Sequence, residues 1–188
     1  MRRSTLACGL LLAVAGLCTA TALAAAPAAH RVADRQAIAR HRAVVFYAGA
    51  IRKFRRETWY WQRVMGVRRS HVLSRSLSAR SIPRLQHLAA VWRRREKRAF
   101  RRAHHPPHLG GWLCIHRFEG SWRDPGAPYY GGLQMNIGFQ RSYGGWLFSR
   151  KGTANHWTPL EQIWTAEKAR RARGFYPWPN TARFCGLI

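Results

Sequence analysis

Apolar positions recur at helical spacing in two stretches of the N-terminal half. Ile38, Val45, Ala48 and Ile51 form one stripe, and Ile82, Leu85, Leu88, Ala89 and Trp92 form another, with arginines on the remaining faces. Two amphipathic helices are therefore predicted. The break between them falls in residues 65–81, where Gly66 and the serines Ser70, Ser74, Ser76 and Ser78 interrupt the pattern. Ser81 is the expected N-cap of the second helix, with Pro83 in its first turn. Helices with such narrow apolar stripes must pack on something, so this part is expected to be a helical hairpin or an arm docked on the rest of the chain.

The pattern before these helices has a different meaning. Arg2 and Arg3 precede an apolar run from Leu6 to Leu17 and small residues through Ala26, the layout of a secretory signal over residues 1–24. A membrane anchor needs about 20 continuous apolar residues, and past Leu17 the run is mostly Ala and Thr. Sec and Tat export both remain open. Cys8 and Cys18 would leave with the signal, so the mature protein would keep only Cys114 and Cys185. An even pair in an oxidising compartment predicts a disulfide, closing a loop of about 70 residues.

Composition sharpens this division. The 188 residues carry 33 Lys and Arg against 7 acids, a formal charge of +26, while 47% hydrophobic content excludes a disordered basic tail throughout. Without Arg2 and Arg3, 31 basic residues face 7 acids, which leaves +24. Residues 31–102 hold 21 of the basic residues and three acids, and residues 109–188 hold ten and four. The expected organisation is a basic helical region over 25–103, a His/Pro linker over 104–108 and a compact domain over 109–188. Such charge calls for a polyanionic partner. Export turns that expectation from nucleic acid towards anionic cell-wall polymers held by the arginine helices, with no stable membrane insertion after signal cleavage. His104, His105 and His108 have no Cys or carboxylate at ligand spacing, so neither a metal nor a cofactor is expected.

In the C-terminal part, a helix over 111–118 would align Trp112, Ile115, His116 and Glu119 on one face. Glu119 then closes an apolar stripe just before Gly120. A carboxyl half-buried against an aromatic wall, here expected to be Trp122, is the arrangement that suits a general acid. Residues 128–136 (Pro-Tyr-Tyr-Gly-Gly-Leu-Gln-Met-Asn) read as a strand entering a tight turn. Tyr faces and the Gln134 and Asn136 amides are groups that hold a sugar, and Gly131 lets a ligand approach the backbone. Thr158-Pro159-Leu160-Glu161 is a capping box opening a helix with Leu160, Ile163 and Trp164 inward and Gly174 at its end.

Taken in order, Trp112, Glu119-Gly120-Ser121-Trp122, Tyr130 through Met135, Tyr143-Gly144-Gly145, the Glu161-Gln162-Ile163 helix and Trp178 before Cys185 resemble the transglycosylase-like domain of resuscitation-promoting factors, secreted muralytic proteins of actinobacteria. The resemblance covers about 75 residues. It implies an α+β, predominantly helical chain ending in a small lysozyme-like domain, with Glu119 as the catalytic glutamate. It also implies that Trp122, Tyr130 and Gln134 lie at or beside the saccharide groove, with Gln162 on the helix facing it. The family places a Cys immediately before the glutamate; here that residue is Phe118, and the cysteine is Cys114. The link from Glu119 to Tyr130 is also shorter than in the family, and the arginine helices fall outside the match.

A standard glycosidase uses two carboxylates. Glu161 is taken by the capping box and Glu167 sits mid-helix, so Asp124 is the one loose partner, and Glu119 is expected to work largely alone. The expected function is a secreted enzyme that cleaves peptidoglycan between N-acetylmuramic acid and N-acetylglucosamine, as lytic transglycosylase or hydrolase. Two alternatives stand beside it: a non-catalytic wall-binding module, and a cationic membrane-active or nucleic-acid-binding protein carried by the helical part.

Overall fold

The computed structural model describes residues 18–71, 77 and 80–188, and their side chains from residue 29 onward. Residues 1–17 of the expected signal, Cys8 included, lie outside them. Cys18 opens α1 (Cys18–Val64), which is followed by α2 (Ile82–Ala103), α3 (Leu109–Glu119), a hairpin of β1 (Tyr129–Tyr130) and β2 (Met135–Asn136), α4 (Ile137–Lys151), a 3₁₀ turn (Ala154–His156), α5 (Pro159–Arg173) and α6 (Pro179–Phe184). The described residues are thus predominantly helical with one small antiparallel sheet, paired Tyr129 with Asn136 and Tyr130 with Met135. No helix among them is long and apolar enough to cross a membrane.

The two basic helices lie side by side in parallel, not as the expected hairpin: Tyr47 meets Gln86, Trp59 meets Trp92 and Trp61 meets Phe100, so the pairing advances the same way along both. The break between Val64 and Ile82 falls where the serine-rich stretch predicts it, and it is long enough to span the 22-residue α2. Ile51 of α1 packs with Leu85, Ala89 and Trp92 of α2. The predicted α1 stripe is buried only in its second half: Ala48 and Ile51 are covered, whereas Ile38 and Val45 are each about half exposed. Length explains this. At about 1.5 Å per residue, the 47-residue α1 far outruns the 22-residue α2, so its N-terminal half has no helix opposite it. Ser81 occupies the N-cap position of α2, but its side chain makes no capping bond; Pro83 does lie in the first turn.

The C-terminal ends of both helices are docked on the C-terminal part. Val64, Met65, Ala99 and Ala103 share a buried cluster with Trp164 of α5, and Trp164 Nε1 donates to Ala103 O at 2.8 Å. The His/Pro stretch is consequently a tight turn between packed elements. His104 and His105 each pair Nδ1 with a carbonyl one helical turn back, Phe100 O and Arg101 O, while His108 turns to Glu167. The three rings therefore diverge.

The second core gathers Trp112 and Ile115 of α3, Leu133 and Met135 of the hairpin, Leu147 of α4, Ile163 and Ala166 of α5, and Phe175, Trp178 and Ala182 of the C-terminal segment. The capping box is present in full: Thr158 Oγ1 accepts from Glu161 N and Glu161 accepts from Thr158 N. Gly174, at φ 60°, ends α5. Residues 161–167 of α5 are buried without a break, because the helix lies between both clusters. Ile163 faces the α3 side and Trp164 the ends of α1 and α2.

Two carboxylates are buried in this helix. Glu167 accepts from Trp112 Nε1 (2.7 Å) and Arg170 Nε (3.1 Å) and pairs with His108 Nδ1 (2.8 Å). Burial pushes its pKa up, but these three partners outweigh that and hold it below the ordinary value. Glu161 is held low in the same direction: burial opposes ionisation, and Lys151, Tyr60 and Thr158 together favour it.

Cys114 and Cys185 form a disulfide across 71 positions, Cα atoms 5.9 Å apart, tying α3 to the end of α6. Replacing both cysteines by serine is expected to lower stability by about 2–4 kcal/mol, read as an earlier urea midpoint. A second expectation follows from Glu167. A carboxyl depressed on folding stabilises above its unfolded pKa of about 4.3 and loses that contribution as pH falls through the folded value. Glu167→Gln should therefore be less stable than wild type by about 1–3 kcal/mol near neutral pH, and urea titrations should show the gap narrowing towards pH ~3.

Candidate functional site

The chemistry-bearing residues meet at the C-terminal end of α3. Trp112 and Ile115 fix the helix in the core, and Gly120 ends it at φ 138°, its N–H donating to His116 O at 3.2 Å. That leaves Glu119 on the last turn, half-buried, in a cleft of about 340 Å³. Tyr129 and Gln134 of the hairpin form one side. Trp178, Asn180 and Thr181 form the other.

Each wall is held by a nameable contact. Trp178 is 5% exposed; its Nε1 donates to Leu133 O at 2.7 Å and its ring meets Trp112 and Phe139 edge-on. Thr181 Oγ1 donates to Glu119 Oε1 at 2.8 Å. Among the described residues Glu119 Oε2 has no partner, so one oxygen is positioned and the other is open to a ligand.

Gln134 is aimed by its neighbours. Its Nε2 donates to Asp124 Oδ2 (2.7 Å) and Gly131 O (3.1 Å), which leaves Oε1 as an unused acceptor. Asp124 Oδ1 is taken by Gly126 N at 2.9 Å. Asp124 is therefore a positioning group for the amide and not a free second carboxylate. Gln134 also has φ 47°, a left-handed conformation in a non-glycine residue. Such a backbone persists only where its surroundings over-determine it, and such sites cluster at ligand clamps.

The residues singled out in the sequence divide here. Glu119 and Gln134 share the cleft. Tyr130 lies against the core while Tyr129 lines the cleft, because successive strand residues face opposite sides. Trp122 is stacked on His116 with centroids 3.8 Å apart, packed against Gly132 and outside the residues that line the cleft. The aromatic wall beside Glu119 is instead Trp178. Gln162 is fully buried: Oε1 accepts from Gly132 N at 2.9 Å, and Nε2 donates to Trp122 O and Ala154 O at 2.8 and 2.9 Å. It clamps the turn. Gly131 faces that clamp, and a Cβ there would come within 2.5 Å of Gln162 Oε1.

The chain matches no family model and none of the curated proteins. The site therefore rests on its own geometry. Among the described residues no group of three His, Cys, Asp or Glu could hold a metal ion. Two larger hollows lie along α1: one of about 620 Å³ is walled mainly by aliphatic side chains with Arg40, His41 and Arg52, and one of about 410 Å³ by four arginines, Lys151 and aromatic rings; neither is lined by an acid.

The sequence places Tyr129 among the Tyr faces of the strand without separating it from Tyr130, and it offers nothing for Asn180 and Thr181 at the cleft. The signal for Tyr129 lay in strand alternation. For Thr181 no local signal existed, since its role depends on α6 being brought beside α3 by the disulfide. The clamp has a direct check. Gln162→Leu removes the partner of the Gly132 N–H and of three carbonyls, those of Trp122, Ala154 and Trp157, so it should cost about 2–4 kcal/mol in urea unfolding, whereas a residue serving only as a ligand contact would leave the midpoint unchanged.

Proposed function

We propose that this protein is a secreted muralytic enzyme with a small lysozyme-like C-terminal domain, and that Glu119 cleaves the β-1,4 bond between N-acetylmuramic acid and N-acetylglucosamine. The observation that carries the reading is one carboxylate, fixed on one oxygen by Thr181 and open on the other, in a cleft walled by Trp178, Tyr129 and the oriented Gln134 amide. The order of motifs shared with the resuscitation-promoting factors supports the same assignment.

In this mechanism a ring face lies on the aromatic wall, and Gln134 Oε1 accepts from a hydroxyl or acetamido N–H. Protonated Glu119 gives its proton to the glycosidic oxygen as the C1–O bond breaks. The resulting carboxylate then takes a proton from the attacking oxygen. If that oxygen is the muramic acid 6-hydroxyl, the product is a 1,6-anhydro sugar; if it is water, the product is hydrated. Asp124 is engaged with Gln134, so positive charge at C1 is met by the substrate's own acetamido group or by backbone dipoles.

Glu119→Gln keeps the Thr181 contact and removes the proton. Release of soluble fragments from purified peptidoglycan, followed by mass spectrometry, should fall by about 10²–10⁴-fold, and the wild-type products should carry either anhydro or reducing ends. Near wild-type release by a folded variant would sink the proposal. Retention on insoluble wall with no release by either protein would instead identify a binding module.

A further inference from the structure

Outside the Glu119 cleft, positive charge converges at one place. Where the C-terminal part of α1 meets the end of α4, a cavity of about 410 Å³ is lined by Arg56, Arg63, Arg69, Arg150 and Lys151. Three aromatic rings, Trp59, Tyr60 and Trp146, line the same space. Arg63 and Arg150 both lie over the Trp146 ring, 4.9 and 5.7 Å from its centroid, and Arg69 lies 5.6 Å from that of Trp59. Stacking occupies the plane of a guanidinium but leaves its edge of N–H donors free.

The local charge is not matched from within. Lys151 is spent on Glu161, donating to both oxygens at 2.7 and 2.8 Å, while Tyr60 and Thr158 complete that carboxylate. None of the four arginines has an ion pair or a side-chain hydrogen bond among the described residues. The carbonyl end of α4 opposes them with roughly half a charge. About four cations therefore remain, all exposed, with Arg56, Arg63 and Arg150 brought to one place by the packing of α1 beside α4.

An anion relieves that repulsion, and the shape of the site narrows its class. Arg56 and Arg63 come from α1 and Arg150 from α4, so the donors converge from different directions. A carboxylate offers two oxygens in one plane, whereas phosphate offers oxygens around a tetrahedron. The cavity is larger than a bare phosphate, and its aromatic rings suit a carbon skeleton. We propose that this junction binds a phosphate group carried on a polyol or sugar chain. The site is separate from the Glu119 cleft and does not depend on the activity assigned there.

The test is calorimetric titration of the full chain with a glycerol-phosphate oligomer, with phosphatidylglycerol vesicles to tell a lipid headgroup from a soluble polymer, and with a galacturonate oligomer of equal charge. Saturable binding of the glycerol-phosphate oligomer or the vesicles is expected to weaken about tenfold or more in Arg63→Gln/Arg150→Gln. The same charge removed by Arg93→Gln/Arg94→Gln, both exposed on α2, should change it by less than about twofold. All four positions are exposed, so folding is retained, as circular dichroism would verify. Glu119→Gln should bind as wild type does, which separates this proposal from the enzymatic one. Equal weakening by both arginine pairs would reduce the site to general polycation attraction, and galacturonate binding as tightly as the phosphate oligomer would overturn the phosphate assignment.

Discussion

The position of the cleft depends on a carboxylate that takes no part in it. Glu167, buried in α5, accepts from Trp112 and Arg170 and pairs with His108, so it fixes the first turn of α3 and the preceding turn to the centre of the fold. Glu119 stands on the last turn of that same helix. A buried charge is tolerated only with close partners, and here it has three. These contacts hold the start of α3 against α5.

Glu161 plays the equivalent part on the other side of α5, joining Tyr60 of α1 to Lys151 of α4. In a chain with seven acids against 33 basic residues, two acids are thus committed to holding elements together. Asp124 is committed to Gln134. Scarcity of negative charge makes each carboxylate local and specific, and leaves most arginines to cation–π stacking or to solvent. Stacking at Trp59, Trp92 and Trp146 shows where the chain accommodates that surplus.

How much of this was legible beforehand differs by kind of signal. Elements set by local chemistry were readable: the capping box at Thr158, the stops at Gly120 and Gly174, and the serine-rich break between the basic helices; so was the pairing of Cys114 with Cys185. Contacts that depend on three-dimensional neighbours were not. Trp122 precedes the turn at Gly132 and stacks on His116, while Trp178, 59 residues beyond Glu119 in the chain, supplies the wall. Gln162 reads as a groove residue because glutamines hold sugars, yet its burial among unsatisfied backbone groups makes it a clamp. The exposed half of the α1 stripe reads as core because periodicity registers amphipathicity but not whether a partner helix is long enough to cover it.

The cleft is also discontinuous in sequence. Its acid comes from position 119 and its opposite wall from positions 178–181, with the hairpin, α4 and α5 made in between. During synthesis, therefore, Glu119 is made well before the residues that enclose it, and its 11-residue helix is too short to persist alone. The site comes into being only after the segment through Phe184 has been synthesised and folded back. A chain clipped before Trp178 would keep Glu119 and most of its helices, yet would have no enclosed site. Order of synthesis thus acts on the cleft as a final assembly step.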